Sequence, residues 1–66
     1  MKISVNGKEK DVPEQITIKT LLINMQVAPE MVACELNLNM IKRNLYDSTA
    51  LREGDQIEIL QMIGGG

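Results

Sequence analysis

Apolar and polar residues alternate from the first position. Met1, Ile3 and Val5 are set against Lys2, Ser4 and Asn6, the period of two that marks a half-buried strand. Asn6-Gly7 follows, a pair that accepts positive φ and signals a hairpin. Glu9-Lys10-Asp11-Val12 continues as a polar second strand, and Pro13 ends it. Its charges suit an edge that must not pair further. The period then changes. Ile18, Leu21, Leu22 and Met25 fall at i, i+3, i+4 and i+7, one stripe of a helix. Thr17 stands at the N-cap position, and Ile16 and Leu21 occupy the two positions of a hydrophobic staple. The stripe is narrow and Ile23 lies off it, so the helix is expected to cover one face of a sheet. Ala28-Pro29 is expected to end it.

Alternation returns with Val32, Cys34 and Leu36 on one side and Ala33, Glu35 and Asn37 on the other. Asn37-Leu38-Asn39 reads as a turn and Met40-Ile41 as a short fourth strand. Residues 42–51 read as irregular, with a local turn at Asp47-Ser48-Thr49. Glu53-Gly54-Asp55 is a further turn, and a last strand runs over residues 56–63. A hairpin, one helix and further strands can bury the helix only against the sheet, which gives a two-layer α+β domain. The expected architecture is a β-grasp, a mixed sheet of four to five strands with one main helix on one face. Residues 1–63 form the domain and residues 64–66 a C-terminal glycine tail.

That tail is the candidate chemistry. The last strand runs into Gly64-Gly65-Gly66, residues with no Cβ and the largest entropy cost on ordering. Such a thread can enter a narrow channel. An α-carboxylate at its tip, with an ordinary pKa near ~3.5, is an anion able to attack the α-phosphate of a nucleotide. The product is an acyl-adenylate that a sulfur or nitrogen nucleophile can capture. A frayed chain end has the same composition.

Composition narrows the alternatives. Sixty-six residues make one domain, and a chain of this size buries only about 60% of its unfolded surface. Tyr46 is the sole aromatic residue and the formal charge is −2, so stacking platforms and a basic face for nucleic acid are both absent. With one cysteine and no histidine there is no disulfide framework, no ordinary zinc site and no Ser-His or Cys-His couple. The longest apolar run, Met31 to Cys34, is far too short to span a bilayer. No h-region of a signal peptide opens the sequence. A cytoplasmic protein without bound cofactor is expected.

Several blocks resemble the ThiS family of sulfur carriers. They are Met1 to Gly7, Thr17 to Leu22, Val32 to Asn37, Lys42-Arg43, Gly54 to Ile59 and the terminal glycines. The resemblance spans essentially the whole chain. Its most specific part is the Gly-Gly end at this length. It implies a ubiquitin-like β-grasp whose Gly66 carboxylate is adenylated, with ATP and magnesium, by a partner of the ubiquitin-activating type. A sulfur donor, a desulfurase or its equivalent, then converts it to a thiocarboxylate. Thiazole synthase takes that sulfur for the thiazole of thiamine. The chain would be a covalent carrier and cosubstrate, and no enzyme. Family members often have Asn-Gly where this chain has Asn37-Leu38, and a proline where it has Lys42. Molybdopterin-type carriers, ubiquitin-like modifiers joined to lysines, and non-covalent β-grasp adaptors are the competing readings.

The remaining candidates are weighed on position. Gly65 and Gly66 carry the family's chemistry, while Gly64 can simply lengthen the arm. Cys34 alternates with core residues and is expected to act as a small buried hydrophobe, with no basic neighbour to activate it. Lys42-Arg43 is either a steering pair or a solvated one. With Ile57 and Ile59 facing the core, Leu60 and Met62 fall on the outer face. Together with Ile63 they are the candidate docking surface for a partner.

Overall fold

A computed structural model of the chain describes residues 1–62. Strands β1 (Lys2–Val5) and β2 (Lys8–Asp11) form the first hairpin, turning at Asn6 and Gly7 with φ of 51° and 83°. Helix α1 spans Ile18–Asn24. Strands β3 (Val32–Leu36), β4 (Asn39–Ile41) and β5 (Gln56–Gln61) complete one five-stranded sheet in the order β2-β1-β5-β3-β4. Only the β1–β5 pair is parallel. The last strand therefore lies in the middle, and the charged β2 forms one edge as its composition demanded.

The alternation sorts the sheet as expected. Ile3, Val5, Val32, Cys34 and Ile57 are buried beneath Ile18, Leu21 and Leu22 of α1, which are completely so. Each such aliphatic side chain contributes roughly 1.5–3 kcal/mol of burial. Ile16 and Leu21 both lie in this core, and Ile23 is exposed.

Helix α1 ends earlier than Ala28-Pro29. Gln26 adopts φ 62°, its N–H reaches the Ile23 carbonyl, and the Val27 N–H reaches that of Leu22, both at 2.9 Å. This paired closure satisfies the last carbonyls of a helix through one left-handed residue, here a glutamine where glycine is usual. Pro29 instead opens a 3₁₀ turn, Pro29–Met31.

Residues 42–51 are also more organised than expected. A 3₁₀ turn at Arg43–Leu45 leads into carbonyls that cap the helix. Ile18 N–H donates to the Thr49 carbonyl at 3.1 Å and Lys19 N–H to that of Tyr46 at 2.9 Å. The Thr17 hydroxyl accepts from Thr20 N–H at 3.2 Å, as its N-cap position requires. The segment also drives Tyr46 and Leu51 into the core.

The turn joining β3 and β4 carries local strain. Asn37 and Leu38 have φ of 51° and 71°, a geometry that suits glycine at the second position. A residue with a Cβ loses about 1–2 kcal/mol there, and Leu38, 85% exposed, gains nothing in packing to offset it. Leu38→Gly is therefore expected to stabilise the chain by about 0.5–1 kcal/mol. Thermal denaturation should show a Tm several degrees higher; a lowered Tm would mean that Leu38 makes a contact the exposed turn does not display.

Candidate functional site

The site is built on β5. Within Gln56–Gln61, Ile57 is buried and Ile59 half-buried, while Glu58 and Leu60 face outward. The antiparallel register sets Ala33 opposite Leu60 and Glu35 opposite Glu58. On the other side β1 accompanies β5 only as far as Val5 opposite Ile57. The Asn6 side chain then takes over the ladder. Its Oδ1 accepts from Ile59 N–H at 2.7 Å, and its Nδ2 donates to the Ile59 carbonyl at 3.4 Å. Beyond Gln61, Met62 N–H still donates to the Met31 carbonyl at 3.2 Å. The strand is thus held from both sides nearly to the end of the described residues.

Strand β3 needs a similar substitute. Strand β4 begins to pair only at Cys34, and Val32 lies beyond its reach. The Val32 carbonyl accepts instead from the Tyr46 hydroxyl at 3.3 Å and from Arg43 Nη2 at 3.4 Å. Sequence reading missed both Asn6 and this pair. Asn6 looked like a turn residue, and it is one, but its side chain bridges 53 positions along the chain. For Tyr46, a lone aromatic in a domain so poor in them was the available signal. Arg43 is accordingly tied to β3, while its neighbour Lys42 is exposed.

Leu60 is exposed at 45%, as its alternation required, whereas Met62 is half-buried. Met31 and Met40, exposed at 54% and 60%, extend the apolar surface on either side. Ile63, Gly64, Gly65 and Gly66 lie outside the described residues. Among the described residues no group of His, Cys, Asp and Glu could hold a metal ion, and no helix is long and apolar enough to cross a membrane.

Cys34 is completely buried. Burial pushes its thiol upward from the ordinary range, against the Tyr46 hydroxyl and the Arg43 guanidinium, which pull it down. A basic neighbour is therefore present, contrary to expectation, and is outweighed. Burial raises the Tyr46 phenol in the same way. Groups whose folded-state pKa is raised give stability that is complete below the unfolded-state value and is lost above it. Unfolding free energy should thus hold level up to about pH 8, then fall as pH passes the thiol range near ~8.5. Cys34→Ala should flatten the first part of that fall. Cys34→Ser should cost roughly 1–3 kcal/mol. Denaturant titrations across pH check both, and an unchanged slope in the alanine variant would remove Cys34 as the cause.

Comparison with known proteins agrees with this architecture. The model of the ThiS family matches residues 3–66. A crystal structure of the thiamine biosynthesis protein ThiS from Geobacter metallireducens superposes with a TM-score of 0.87 at 38% identity, covering all of both chains. The sulfur carrier protein ThiS of Bacillus subtilis is 34% identical over 65 residues, 97% of this chain and 98% of that one. A thiazole synthase of Magnetococcus marinus is 41% identical over 66 residues; the whole chain is matched, but it spans only 20% of that protein's length.

Proposed function

The chain belongs to the ThiS family, and from that membership we propose that it carries sulfur for thiazole formation in thiamine synthesis, on the carboxylate of Gly66. The supporting observation is the double anchoring of β5 by Asn6 on one side and Met31 on the other. It fixes the sheet up to the point where four residues remain before Gly66.

In this reading the carboxylate attacks the α-phosphorus of ATP, bound with magnesium by an activating partner of the ubiquitin-activating type. Pyrophosphate leaves and an acyl-adenylate forms. A nucleophilic sulfur supplied by a desulfurase or equivalent donor displaces AMP, giving the thiocarboxylate that thiazole synthase consumes. The chain's own contribution is delivery. Glycines at 64–66 keep the carbonyl carbon of Gly66 clear of side chains, so a narrow active site can enclose it. Ordering each of them costs roughly 1–2 kcal/mol of backbone entropy, and they bring no side-chain contacts in return. Docking free energy has to come from the domain, and Leu60 and Met62, with Ile63, are the nearest apolar suppliers.

Two outcomes test this. Removing Gly66, or extending the chain beyond it, should abolish ATP–pyrophosphate exchange with the activating partner while Tm stays unchanged. Persistent exchange by an uncleaved extended chain would contradict a carboxylate at Gly66. Separately, Leu60→Ser with Met62→Ser should weaken binding to that partner by roughly one to three orders of magnitude, at about 1–2 kcal/mol per apolar anchor. The half-burial of Met62 predicts a small accompanying loss of Tm. A large loss at unchanged affinity would make the pair part of the core.

A further inference from the structure

The sheet face turned away from α1 carries an arrangement that the fold itself does not need. Glu35 and Glu58 stand directly opposite one another across β3 and β5, and like charges so placed destabilise a sheet. Among the described residues the one ion pair is Lys2–Asp11, so no lysine or arginine neutralises either carboxylate. Around them the same face is apolar. Ala33 and Leu60 form the next pair along the ladder outward, and Met40 pairs with Glu35 from the other side. Leu60 and Met40 are exposed at 45% and 60%.

We propose that this face is the docking surface for thiazole synthase, which places an arginine or lysine side chain between Glu35 and Glu58. The inference rests on the reading that sulfur is carried at Gly66. Four residues, 63–66, follow Met62 and span at most about 14 Å when fully extended. A protein that takes sulfur from Gly66 must therefore cover the surface around the end of β5. On the helix side that surface is already filled by α1; on the other it is bare sheet. A cation arriving there relieves the repulsion between the two carboxylates, and a guanidinium matches them in a forked geometry. Thiazole synthase is favoured as occupant because the Magnetococcus marinus thiazole synthase contains a segment matching this whole chain. A carrier-like segment and a synthase then share one polypeptide, which keeps their surfaces at high effective concentration. The short span carries a consequence: activating partner and synthase cannot hold one carrier together, since both enclose Gly66.

The test is the affinity of the full chain, in its thiocarboxylate form, for the thiazole synthase of the same organism, at low and raised salt. Glu35→Gln with Glu58→Gln should weaken binding at least about tenfold at low salt and flatten its salt dependence. Tm of the free double variant should be unchanged or higher, since a repulsion has been removed. Glu58→Lys should bind more weakly than Glu58→Gln. Wild-type affinity in the double variant would overturn the proposal, as would a weakened affinity accompanied by a lowered Tm, which would make the carboxylates structural. Intact mass of each variant after reaction with the activating partner separates the two levels. If the thiocarboxylate forms yet wild-type chain does not bind the synthase, the docking proposal fails and the carrier reading stands. If no thiocarboxylate forms on wild-type chain, both fail.

Discussion

The last strand of the chain must enter the sheet at its centre. Strand β5 pairs with β1 on one side and β3 on the other, so the first and middle thirds of the sequence cannot form one sheet until residues 56–61 arrive. The same insertion puts the chain's end beside the best-buried part of the molecule. Ile57 is almost wholly enclosed, and three positions later Leu60 is on the surface. A reactive end attached to an edge strand would fray with that strand. Attached to the central one, it inherits the stability of the whole domain.

Neighbouring elements are too short for this strand, and side chains complete what backbone cannot. Asn6 continues β1 along Ile59, and Tyr46 with Arg43 stands in for β4 at Val32. Among the described residues no buried side-chain nitrogen or oxygen lacks a partner, the condition expected of a core this small. Tyr46 serves twice, since its carbonyl also caps the start of α1. One residue of the 42–51 segment thus ties helix to sheet.

Everything that depends on period was legible in the sequence: the strands, the helical stripe, the exposure of Ile23 and Leu60, and the burial of Cys34. Thr17 and Asn6-Gly7 were legible because caps and tight turns are set by a few adjacent residues. The end of α1 was misplaced because Gln26 adopts a left-handed conformation with no glycine to announce it. Proline looked like the terminator, yet the closing hydrogen bonds come from Gln26 and Val27. The 42–51 segment was opaque for a different reason. Its order comes from partners at positions 16 to 19 and 32, and no local pattern encodes a contact at that distance. Of the candidate site, the outward set of Leu60 followed from alternation. The half-burial of Met62 did not, since it depends on where Met31 returns beside it. The chemistry at Gly66 was read from the glycine end and a family resemblance, and the match over residues 3–66 secures the family while leaving the chemistry to experiment.

The central claim is that Gly66 carries sulfur, and the mass of the molecule itself tests it most directly. Intact-mass measurement of the chain purified from its own cells, without reductant or alkali, should reveal a fraction in which one oxygen is replaced by sulfur. Fragmentation should assign that replacement to Gly66. A chain found only as the carboxylate under conditions of active thiamine synthesis, or with the added sulfur located on Cys34, would contradict the account.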